Sequence, residues 1–126
     1  MKKILLDANT IISFLEEDSG MAPFEHILAA STVCYTPISA HIVAYFLEKG
    51  CVKFNYKAMI DFFSSALILT SGSTLFKTAL TISKGEDVED GMQVAYCLEN
   101  DVQVIITADA GLYAKYSNLL EILLLN

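Results

Sequence analysis

The chain has 126 residues, 54% of them hydrophobic, which is enough for one core and too apolar for a disordered segment. Its formal charge is −7, and every basic residue is a lysine. That balance argues against a general nucleic-acid-binding module with a basic face, and favours a cation, a basic protein partner or a local lysine patch.

Residues 3–6 are a short apolar run that ends at Asp7 and reads as a buried strand. Asn9 or Thr10 is placed to cap a helix whose apolar positions include Ile11, Ile12, Phe14 and Leu15. After a turn at 16–20, a helix over 22–30 has Pro23 in its first turn and Phe24, Ile27 and Leu28 on its apolar side. Residues 33–35 form a strand closed by Thr36 and Pro37, and a strongly apolar helix over 38–49 stops at Gly50. A helix at 55–64 leads to a strand at 66–69. Residues 71–74 offer caps for a helix running to Ser83. Then come an acidic helix over 87–99, a strand at 103–107, a helical turn at 112–115 and a closing strand at 119–125.

Strands that alternate with helices, and that are apolar on both faces, predict a three-layer α/β sandwich with a central, mainly parallel sheet. Residues 1–126 read as one domain, without repeat or linker. No apolar run is long enough to span a bilayer, and Asp7 and Asn9 interrupt any signal-peptide core. Cys34, Cys51 and Cys97 are odd in number and lack a CxxC pair, so they read as buried free thiols in a reducing compartment. The expectation is a cytoplasmic protein.

The most informative stretch is GEDVEDGMQVAYCLENDVQVIITAD, residues 85–109. At about 100° per residue, Asp87, Asp90, Val94 and Cys97 share one ridge of its helix. Glu89 falls with Gln93 and Tyr96 on a more polar flank, pointing elsewhere. Carboxylates beside an apolar stripe are costly unless paired, hydrogen-bonded or bound to a cation. The simpler alternative is an acidic first turn that complements the helix dipole.

Ligands of open α/β sheets bind beyond the carboxyl ends of strands, where strand order reverses. Asp7 ends the first strand, Asp109 follows the strand at 103–107, and Asp87 and Asp90 open the helix leading into that strand. If those two strands are neighbours, the four carboxylates converge. Their mutual repulsion calls for a hard cation, and oxygen-only ligation points to magnesium or manganese. The chemistry that suits such a site is hydrolysis of a phosphodiester.

LLDAN at residues 5–9, DVEDGMQVAYCLENDVQVIITAD at 87–109 and the order of elements between them resemble a PIN domain. PIN domains include the VapC-type toxin ribonucleases of toxin–antitoxin pairs, and the acidic helix is most similar to a bacterial subgroup with EDxxQ. The resemblance implies an endoribonuclease that uses Mg2+ or Mn2+, held or surrounded by Asp7, Asp90 and Asp109. Asp87 is implied as an auxiliary acid of the metal site, and Asn9 and Thr107 as polar groups orienting Asp7 and Asp109. It also implies an RNA substrate and, for a toxin, an antitoxin-like protein whose basic segment occupies the acidic cleft. One departure stands out: the family's glutamate in the helix after the second strand is matched here by Ile42, and Glu48 lies roughly 240° around that helix.

Other residues have plainer readings. His41 adjoins Ile42 and is a packed residue, a base or a phosphate contact; His26 reads as packed. Glu16, Glu17 and Asp18 read as a solvated turn. Lys49, Lys53 and Lys57 form the single candidate basic stripe, more simply a solvated face. Tyr113 and Tyr116 are core or rim aromatics, or stack on a base. The apolar helix around 38–47 allows a homodimer. The acidity and the absent glutamate suggest a second hypothesis, a catalytically silent PIN-like protein-binding module. A phosphoacceptor receiver domain lacks its middle-strand aspartate and later lysine here, and a hydrolase with an aspartate nucleophile would want an acid at Asn9.

Overall fold

A computed structural model describes residues 1–125. Five strands, β1 (Lys3–Leu6), β2 (Thr32–Tyr35), β3 (Leu67–Ile68), β4 (Val104–Thr107) and β5 (Glu121–Leu124), form one sheet in the order β3-β2-β1-β4-β5. Every pairing is parallel. The winding runs outward from β1 to β2 and β3, then resumes on the other side with β4 and β5. The reversal therefore lies between β1 and β4, whose register aligns Leu6 with Ile106.

The strand alternation of two residues divides the core between the two faces of the sheet. Ile4, Leu6, Val104 and Ile106 pack with Ile11, Val43, Met59 and Phe62. Those partners lie on α1 (Ala8–Leu15), α3 (Pro37–Glu48) and α4 (Tyr56–Ser65). Leu5 and Ile105 pack on the opposite face with Ala79, Val94, Cys97, Leu112 and Tyr116. These belong to α5 (Leu75–Ser83), α6 (Val88–Glu99) and α7 (Ala110–Tyr116). Two helical layers thus enclose the sheet, which explains why β1 and β4 are nearly continuous apolar runs. No helix of the described residues is long and apolar enough to cross a membrane.

Several boundaries differ from expectation. The expected helix at 22–30 is a 3₁₀ segment, Ser19–Phe24, followed by the short α2 (Glu25–Ala29). Pro23 has no N–H to donate, and the segment is started by Asp18, whose carboxylate accepts the Gly20 N–H at 2.8 Å. The first helix is capped by Asp7, not by Asn9 or Thr10. β3 is shorter than 66–69 because Ala66 still closes α4 through its N–H to Phe62 O. β5 begins at Glu121, after a turn in which the Leu119 N–H donates to Tyr116 O. Cys34 and Cys97 are buried free thiols, and burial pushes Cys97 up to about 12. Cys51 is exposed, in the loop beyond Gly50, contrary to the sequence reading.

Candidate active site

The carboxyl ends of β1 and β4 place two aspartates side by side, and each is also a helix cap. Asp7 Oδ1 accepts the Thr10 N–H at 3.0 Å, starting α1. Asp109 Oδ1 accepts the Gly111 and Leu112 N–H groups at 2.8 and 3.2 Å, starting α7. Between them stands Thr107, fully buried, whose hydroxyl donates to Asp7 Oδ2 at 2.5 Å and accepts the Asp109 N–H at 3.0 Å. The Thr10 hydroxyl ties α1 to the end of β4 through Ile106 O at 2.9 Å. These bonds fix two carboxylates on adjacent strand ends and leave lone pairs on both; among the described residues Asp109 Oδ2 accepts no hydrogen bond.

The third element is α6. Before it the chain turns sharply: Lys84, Gly85 and Asp87 have φ of 56°, 79° and 51°. The two non-glycine residues there pay a steric penalty, and the turn is held by Lys115. The Lys115 ammonium on α7 donates to Ser83 O at 2.8 Å and Glu86 O at 2.9 Å. Asp87 is the N-cap position of α6 but makes no side-chain cap bond. Behind α6, Gly91 lets α5 approach closely; a Cβ there would lie 2.9 Å from Ala79 O and 3.0 Å from Ser83 Cβ.

A cleft of about 510 Å³ opens where these elements meet. Its acidic side is formed by Asp7, Glu89, Asp90 and Asp109, with Asn9 beside them. Contrary to the ridge predicted from sequence, Glu89 lines the cleft and Asp87 does not. The reason is the left-handed start of α6, which removes Asp87 from the helical ridge it was assigned to share. Asp90 is half-buried and its carboxyl is raised to about 6. Burial is the main cause, followed by the fields of Asp109, Asp87, Glu89 and Asp7.

The opposite wall is apolar, made by Ile42 and Phe46, one turn apart on α3. At the floor is Gln93, which sequence reasoning had put on a polar flank. It is buried and joins α6 to the start of α3. Gln93 Oε1 lies 3.1 Å from Thr36 Oγ1, and Gln93 Nε2 lies 3.1 Å from Ser39 Oγ. Thr36 also caps α3 through the Ser39 N–H. The signal available in the sequence was the pair of hydroxyls three residues apart at the head of a helix, together with a polar amide in an otherwise apolar stretch of α6.

Other candidates fall away from the cleft. His41 and His26 are exposed, so neither is packed. Lys49 closes α3, Lys57 lies in α4 and pairs with Asp61 at 2.7 Å, and Lys53 sits in the loop between, so no stripe forms. Glu16 is not merely solvated, because its Oε2 accepts the Lys53 N–H at 2.8 Å. Tyr113 is exposed, while Tyr116 is 1% exposed and cannot stack on a base. Among the described residues the buried Tyr116 hydroxyl has no partner, and burial, Asp90 and Asp87 all raise its pKa.

The family model for the PIN domain matches residues 4–118. The chain belongs to the PIN domain family. Among solved structures, the chain resembles one from a toxin–antitoxin complex of Klebsiella pneumoniae, with a TM-score of 0.73 at 12% identity, covering 95% of each chain. A protein from Pyrobaculum aerophilum aligns with a TM-score of 0.62 at 14% identity, over 90% of this chain and 84% of that one. No curated protein sequence matches significantly.

The donor set of this PIN domain fits a hard divalent cation. Four carboxylates face one cleft without a histidine or thiol among them, and their mutual field already strains the ionisation of Asp90. Among the described residues no three are gathered tightly enough to hold an ion as the side chains stand. Glu89 is exposed and makes no side-chain bond among the described residues, so its side chain has room to close on a cation. Ile42 lines the cleft and adds no oxygen.

Proposed function

We propose that this PIN domain is a magnesium- or manganese-dependent endoribonuclease, the toxin of a toxin–antitoxin pair. The supporting observation is the meeting of Asp7, Asp90 and Asp109 in one cleft at the point where the sheet reverses its winding. Asp7 and Asp109 act as rigid ligands, because their caps and Thr107 leave little freedom to either. Asp90 and Glu89 close the site from α6, with Asp87 outside the cleft as an auxiliary charge. Asn9 is a polar neighbour that steadies Asp7. Ile42 and Phe46 exclude water from the opposite side. The chemistry supplied by a bound cation is Lewis-acid activation of water and neutralisation of charge developing on the phosphodiester.

The negative net charge suits a partner of opposite sign, and a basic antitoxin segment seated in the cleft would compete with RNA. The alternative, a silent protein-binding module, is favoured by one observation, the apolar Ile42 where an acid would stand. Incubation of a labelled mixed RNA pool with magnesium, manganese or EDTA separates the two. The proposal expects discrete cuts that vanish in EDTA and in the Asp109→Asn protein. Cuts that persist in EDTA or in the Asp109→Asn protein overturn the metal-dependent reading, and an intact pool under every condition supports the silent module instead.

A further inference from the structure

The Gln93 amide nitrogen carries two hydrogens, and the buried network uses one of them. Gln93 is 4% exposed, and Thr36 and Ser39 are fully buried. The two hydroxyls satisfy the amide oxygen and one N–H. Turning the amide over exchanges which hydroxyl meets which end, but leaves the same remainder. One N–H is therefore left over. Among the described residues, Ser39 Oγ is the one acceptor that Nε2 has. The side chain lines the cleft one turn along α6 from Asp90, where a buried donor left unbonded is costly.

The composition of the cleft defines what that donor can meet. The carboxylates are acceptors, and no lysine lies on the lining. Its side-chain donors are the amides of Gln93 and Asn9. A phosphodiester brings non-bridging oxygens that are anionic acceptors without hydrogens of their own. A neutral N–H bonds such an oxygen without pairing with Asp90 or Asp7, as an ammonium would, and so leaves the carboxylates free for a cation. Its position at the floor is fixed by two buried hydroxyls, which spares the entropy of ordering an exposed side chain.

We infer that Gln93 contacts substrate directly, its free amide N–H donating to a non-bridging oxygen of a phosphodiester bound in the cleft. This rests on the ribonuclease reading above. Thr36 and Ser39 are then positioning residues that hold the amide in place.

The test is nuclear magnetic resonance of the side-chain amide pair of Gln93, assigned through its own side-chain carbons. The full chain is titrated with a mixed-sequence oligoribonucleotide in calcium, which takes oxygen ligands as magnesium does but activates bound water less. The expected result is a saturating shift of one of the two amide protons, while the proton bonded to Ser39 stays near its starting position. Shifts of the Asn9 and Asp109 backbone signals with a stationary Gln93 pair overturn the inference and leave the ribonuclease reading intact. A spectrum in which no cleft signal moves removes the ribonuclease reading, and this inference with it.

Discussion

The Thr107 hydroxyl joins the two aspartates that follow β1 and β4, donating to Asp7 Oδ2 and accepting the Asp109 N–H. One buried oxygen thus sets the position of a carboxylate a hundred residues distant and of the one two residues on. Thr107→Val keeps the shape and removes both bonds. It should cost about 1–3 kcal/mol in stability, since an N–H and a carboxylate lose their buried partner. Thr107→Ser should retain most of it. Denaturant titration of the three proteins checks this; equal midpoints for wild type and valine variant would show that the hydroxyl holds nothing.

Asp90 makes the metal-free protein sensitive to pH in a defined direction. Its folded carboxyl is raised to about 6, above the unfolded value, so the folded state binds the proton more tightly. The stabilisation is complete below the unfolded value of ~4 and is lost as pH rises through about 6. At pH 7 in EDTA, Asp90→Asn should therefore be more stable than wild type by about 1 kcal/mol, after allowance for solvent screening of a half-exposed group. At pH 4 the two should melt together. A constant difference across that range would refute the assignment of the strain to ionisation.

At Gly91 α5 lies close against α6, and the obstacle to a side chain there is the Ala79 backbone carbonyl. Gly91→Ala improves helix propensity but forces the helices apart. The clash should dominate, with a net loss of about 1–3 kcal/mol. Because Asp90 precedes Gly91, cation binding should weaken as well. A variant of wild-type stability would mean that the α5–α6 contact yields more easily than a packed backbone should.

Ile42→Glu places a carboxylate on the apolar wall that faces Asp90 and Asp109 across the cleft. In EDTA at neutral pH the added charge should destabilise the protein, being partly buried among acids. With manganese present the order should reverse, with affinity raised about tenfold by one further oxygen ligand. Isothermal titration with manganese measures it. Unchanged affinity would place residue 42 outside the reach of a bound cation.

The parts of this fold that depend on local pattern were legible in the sequence. The apolar runs of β1 and β4 and the spacing of Asp90 with Val94 and Cys97 follow from periodicity. The adjacency of β1 and β4, which brings Asp7 to Asp109, was an assumption of α/β architecture; the residues pair across a hundred positions and no local pattern reports it. Glu89 was misplaced because the ridge was drawn from Asp87, and the left-handed turn there owes its shape to distant Lys115. The spacing of Gln93 puts it on the flank of Glu89 and Tyr96, yet its hydrogen bonds go to Thr36 and Ser39, more than fifty residues earlier. Phe46 was missed because an apolar helix gives no sign of which residue faces a cleft.

That Asp7, Asp90, Glu89 and Asp109 act together as one cation site is tested most directly by titrating manganese into metal-free protein and following the free ion by paramagnetic resonance. Asp7→Asn is the informative comparison, because asparagine caps a helix as well as aspartate does and the variant should fold. Saturable binding by the wild-type protein, weakened about tenfold or more in Asp7→Asn, is the expected result. Equal binding by the two proteins, or none that saturates in the wild type, would contradict it.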